Sequence, residues 1–130
     1  MARLLLAIFI CASFAVSECA PTKSKTKLDV SDPTVLAASE FAMSELRKYC
    51  DYCNDELKET YQNLKLQSLQ SASSQPTSLS DGTMYFLDMT LETDKPYDGK
   101  CTDSQTVIVF QNKDGSYNGM SVERSPFLEH

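Results

Sequence analysis

Residues 82–91, read GTMYFLDMTL, constrain the fold more than any other part of the chain. Tyr85, Leu87, Met89 and Leu91 alternate with positions that turn polar at Asp88, Thr90 and Glu92. A period of two over that length suits a half-buried antiparallel strand, because successive side chains point to opposite faces of a sheet. A long amphipathic helix pattern precedes the run, and a second strand pair follows it with no later pattern of helix length. That order predicts an α+β fold in which a single long helix packs across a curved antiparallel β-sheet.

The helix begins at Asp32–Pro33, where the carboxylate can accept from the first free N–H groups and proline suits the first helical position. Val35, Ala38, Ala42, Leu46, Tyr49, Cys53, Leu57 and Tyr61 recur every three or four residues, with Glu40, Ser44, Arg47, Lys48 and Asp51 on the other face. The helix is expected to end near Asn54–Asp55, although the pattern permits two further turns. Leu64, Leu66 and Leu69 mark a second strand that dissolves into the polar stretch 71–80. Asp81–Gly82 closes this connection before the strand over 84–93. A turn-rich loop over 94–103 leads to the β-branched TVIVF strand at 106–110. The Asp114–Gly115 turn within 111–116 then returns the chain as a last strand over 117–123.

At 130 residues the chain is one domain, since compact domains run to roughly 100–150 residues. Arg3, the apolar run from Leu4 to Val16, and the small residues Ala15 and Ser17 read as a secretory signal peptide over 1–17, too short for a membrane span. A flexible arm over 18–31, the domain proper over 32–124 and a tail over 125–130 follow. A secreted, extracellular protein is expected, with no membrane contact after cleavage. The formal charge of −6 becomes −7 without Arg3 (11 basic against 18 acidic residues) and disfavours nucleic acid, whose phosphates call for clustered Lys and Arg. Lys23, Lys25 and Lys27 read as a solvated arm.

Cleavage after Ser17 leaves Cys19, Cys50, Cys53 and Cys101, an even set for two disulfides; cleavage after Cys19 or Ala20 leaves three cysteines. Four cysteines allow three pairings. A bridge between Cys50 and Cys53 inside a helix would strain it, so each is expected to reach elsewhere, with Cys101 the partner of one.

Enzymatic machinery is sparse. The single histidine is His130, the last residue, where nothing can orient it for a Ser–His or Cys–His pair. Four glycines, all in or beside turns, exclude the usual phosphate-binding fingerprints. Cys50-Asp51-Tyr52-Cys53 has redox or zinc spacing. A redox pair would sit at a helix start after a strand, and a zinc site needs two more ligands that the chain does not offer. Structural disulfides are the expected use; neither a cofactor, a metal nor an enzyme is expected.

Two segments carry a family resemblance. ASEFAMSELRK (Ala38 to Lys48), followed by Asn54-Asp55, looks like the helix of the cystatin superfamily, secreted inhibitors of papain-like cysteine proteases. GTMYFLDMTL looks like that family's central strand, and Cys101 sits where secreted cystatins carry a disulfide cysteine. The likeness covers roughly residues 30–124. It implies a cystatin-like monomer whose N-terminal arm and two hairpin loops enter the cleft of a papain-like cysteine protease without offering a bond to cut. The first loop corresponds to Ser78, Leu79, Ser80, Asp81 and Gly82, where the family carries Gln-x-Val-x-Gly; Gly82 alone is retained. The second corresponds to Asn112, Lys113, Asp114 and Gly115, in a chain with no tryptophan where the family often has Pro-Trp. These departures motivate an alternative, a non-inhibitory cystatin-fold binding module outside the cell. A redox protein using Cys50 and Cys53 is the reading from a third class.

Overall fold

A computed structural model describes residues 25–77 and 81–128. Its elements run β1 (Thr26–Leu28), α1 (Pro33–Lys48), α2 (Asp55–Gln62), β2 (Leu64–Pro76), β3 (Thr83–Tyr97), β4 (Lys100–Gln111) and β5 (Tyr117–Val122). The class is α+β, with five antiparallel strands in the order β1-β2-β3-β4-β5 and two helices among the described residues. Every strand lies beside its neighbour in sequence, as short antiparallel connections allow.

The helical layer departs from the expected single long helix. Asp32 caps α1 by accepting from the Thr34 N–H at 2.8 Å, and Pro33 opens the first turn. Val35, Ala38, Ser39, Ala42, Met43 and Leu46 bury one face against the sheet. The chain leaves the helix at Lys48 and starts again at Asp55, where the Asn54 side chain accepts from the Leu57 N–H at 2.9 Å. The three-to-four spacing survives this break because α2 buries Leu57, Thr60 and Tyr61 on the same core. Periodicity reports which face is buried, so it runs through an interruption that keeps the face in phase.

That interruption also corrects the cysteine expectation. Cys50 and Cys53 form a disulfide with each other, their Cα atoms 5.0 Å apart, while Cys101 is free and exposed. The strain argument assumed helical backbone. Both residues instead lie in a turn, where the Cys53 N–H donates to the Cys50 carbonyl at 3.0 Å and the separation suits a disulfide. Cys19 lies outside the described residues.

The alternation in β3 is realised: Tyr85, Leu87, Met89 and Leu91 are buried beneath the helices, with Val107 and Val109 of β4 paired against Leu87 and Tyr85. Full burial of such side chains stabilises by about 1.5–3 kcal/mol each, which makes this face the main support of the fold. The polar stretch after Leu69 does not dissolve. β2 continues to Pro76, paired with β3 throughout, and bulges at two points where Gln67 and Gln70 are extra residues. Likewise most of the expected 94–103 loop is strand, reduced to a turn at Asp98–Gly99.

The segment expected as a tail is packed down as far as Leu128. Pro126 and Phe127 are buried, and the Tyr61 hydroxyl donates to the Pro126 carbonyl. Phe127 adopts φ +65°, a left-handed conformation uncommon for a bulky residue. Its ring meets Tyr61 edge-on at 6.5 Å, and its N–H donates to Asp103 at 2.7 Å.

Candidate functional site

Register alone sets where the two candidate loops lie. Pro76 pairs with Thr83, and Thr83 pairs with Gln111, so the β2–β3 and β4–β5 connections leave the sheet at one end. β1 begins at that end too, with Thr26 opposite Ser74. Three chain segments therefore converge on one rim.

Of the residues expected in the first loop, Ser78, Leu79 and Ser80 lie outside the described residues. Asp81 is exposed and Gly82 is buried, and the Thr77 N–H donates to the Gly82 carbonyl at 3.1 Å to close the connection. In the second loop Asn112, Lys113, Asp114 and Gly115 are all exposed. The Asn112 N–H donates to the Ser116 carbonyl at 2.7 Å, and the Gly115 N–H to the Asn112 carbonyl at 3.0 Å. Gly115 sits at φ +95°, which a glycine adopts without steric cost. Asp114 accepts from both the hydroxyl and the N–H of Ser116 at 2.6 and 2.9 Å, and these bonds hold its carboxyl below the usual range. The turn is thus fixed by its own hydrogen bonds.

The two loops meet. Lys113 Nζ lies 3.7 Å from Asp81 Oδ2 across the rim. From below, the Tyr85 hydroxyl donates to Gln111 Oε1 at 3.0 Å, and Gln111 Nε2 donates to the Gly115 carbonyl at 3.0 Å. This relay ties the second turn to a buried core residue. Burial foremost, then the charges of Tyr117 and Asp32, push the Tyr85 phenol up, so it stays a donor. Beneath the turn, Phe41 of α1 stacks on Tyr117 at 4.8 Å. On the uncovered sheet face Lys25 Nζ stands 3.9 Å above the Phe86 ring, fixing the entry of the arm beside the first loop. Sequence reasoning missed Tyr85, Gln111 and Lys25 as rim supports. The position of Gln111, at the strand end directly before an Asn-x-Asp-Gly turn, was the available signal for one of them; Lys25 carried none.

The cysteines lie elsewhere in the fold. Cys50 and Cys53 occupy the turn between the helices, and Cys101 sits by the β3–β4 turn, at the sheet end away from the rim. Among the described residues no group of three or more His, Cys, Asp or Glu could hold a metal ion, and no helix is long and apolar enough to cross a membrane. The rim offers a hydrogen-bonded second turn, backbone groups and one exposed ion pair, which suits surface recognition. No family model matches the chain, and neither a curated protein nor a solved structure does.

Proposed function

We propose that this is a secreted, cystatin-like inhibitor of papain-like cysteine proteases, which plugs the active-site cleft with the β2–β3 and β4–β5 loops. One observation carries the reading: the two turns stand side by side at one rim, joined by Lys113 and Asp81, with the N-terminal arm arriving beside them. The second turn is already ordered by its own hydrogen bonds, so it loses little conformational entropy on entering a cleft. Binding by apolar and backbone contacts needs no catalytic side chain, so the protein is read as a non-enzyme. The paired cysteines in the inter-helix turn fit an oxidising compartment, which supports export.

A second reading has its own observation. Asp81 and Lys113 place two charges where an inhibitory rim would be desolvated, at a cost unless the pair stays hydrogen-bonded in the complex. That favours a module which keeps the fold and binds another extracellular partner. Titration of papain with the mature protein separates the two. Inhibition that is lost on replacing residues 112–115 with alanines, and in Gly82→Glu, supports the inhibitor. Inhibition unaffected by both variants rules out the rim, and capture of a non-protease partner without inhibition supports the module.

A further inference from the structure

α1 leaves a groove of about 590 Å3 between its flank and β2, lined by Leu36, Ser39, Glu40, Met43, Arg47 and Leu66. The groove is open because β1 pairs with Ala72–Ser74 only, so among the described residues no strand covers the outer edge of β2, the edge away from β3, from Leu64 to Ser71. Bulges at Gln67 and Gln70 twist this edge, which opposes open-ended strand addition and leaves side-chain packing to specify what binds. Arg47 reaches the edge, donating from Nε to the Leu64 carbonyl at 3.0 Å.

The pattern along the groove is self-complementary. Glu40 and Arg47 stand seven residues apart, two helical turns or about 10 Å, with Met43 between them. Neither forms an ion pair among the described residues. We infer that the groove binds a second copy of this chain, α1 against α1, antiparallel about a two-fold axis beside Met43. That axis sets Glu40 of each copy against Arg47 of the other, as an isologous interface requires. It also carries Leu36, 47% exposed, toward the second copy's inter-helix turn, where Tyr52 is fully exposed. Large apolar side chains left in water on both sides of the axis are thereby covered. The sequence reading expects a monomer, whereas this pair leaves both rims free, since the groove faces the half of β2 remote from Pro76.

Sedimentation equilibrium of the mature, disulfide-intact protein tests this, run alongside Cys101→Ser so that an exposed thiol does not link copies. A dimer is expected in both. Glu40→Arg makes both cross-contacts like-charged, as does Arg47→Glu, and each alone raises the dissociation constant about tenfold or more. An equimolar mixture of the two variants restores association as a heterodimer, which loss of the Arg47–Leu64 bond or a folding defect would not do. A monomer at all concentrations, or a dimer indifferent to both reversals, overturns the inference. Protease inhibition is expected to be equal in Glu40→Arg and the parent, so its absence in both would sink the rim reading and leave this one standing.

Discussion

Lys113 of the second hairpin and Asp81 at the foot of the first face each other at 3.7 Å, each side chain 79% exposed. A pair so exposed contributes 0–1 kcal/mol to folding, so its importance lies in what happens when a partner covers it. The Asp81→Asn/Lys113→Gln double variant is expected to unfold in urea within about 1 kcal/mol of the parent. If the rim enters a cleft, the same variant inhibits several-fold more tightly, because two charges no longer lose water on binding. Weaker inhibition by the neutral variant would show that the charges recognise the partner.

The Cys50–Cys53 bridge closes a short loop, which in the chain-entropy account stabilises by about 2 kcal/mol. Cys50→Ser/Cys53→Ser is therefore expected to lose about that much by urea titration. Alkylation of the native protein followed by peptide mapping should label Cys101 and spare the other two. Labelling of Cys53 without reductant would contradict the pairing.

Asp103 of β4 organises the C-terminal segment. It accepts from Arg124 at 3.0 Å and 3.3 Å, from the Phe127 N–H at 2.7 Å and from Gln105 at 3.3 Å. Burial alone would raise its carboxyl, but these bonds and the Arg124 charge outweigh burial and hold it below the ordinary value. A group depressed in the folded state stabilises fully above its unfolded value, about 3.9, and that stability is lost as pH falls through the lower folded value. Asp103→Asn should cost about 1–3 kcal/mol at neutral pH and flatten the decline in stability toward about pH 3. An unchanged acid profile would assign that decline to other carboxylates, such as Asp88, which Ser71 and Thr106 also hold low.

Phe127 is 2% exposed and closes the core beneath Tyr61. Phe127→Ala should destabilise by about 3–5 kcal/mol in urea unfolding. Deletion from Ser125 onward should do at least as much, because it also removes the Pro126 carbonyl that Tyr61 bonds. A loss under about 1 kcal/mol would mean that the segment is held only at the surface.

What was legible in the sequence was what repeats. The alternation of Tyr85, Leu87, Met89 and Leu91 named the core strand and its inward face, and Asp32–Pro33 named the start of α1. The break at Lys48 was hidden because α2 resumes the same buried phase, and the cysteine pairing failed with it. β2 was cut short because Ser71, Ser73 and Gln75 look like loop, although all three pair with β3 and polar residues suffice on the open face of a paired strand. Phe127 was assigned to a tail because a single aromatic near a terminus carries no period. At the candidate site the turns could be read from Asp114–Gly115 and Asp81–Gly82. That the two approach each other follows from strand register, which no local pattern encodes.

The most direct test of the central claim is the residual activity of papain titrated with the mature, disulfide-intact protein. The account predicts reversible, stoichiometric loss of activity with the inhibitor recovered uncleaved. Full papain activity at about 10 μM of the protein, an occupancy threshold corresponding to only about 7 kcal/mol of binding, would contradict it.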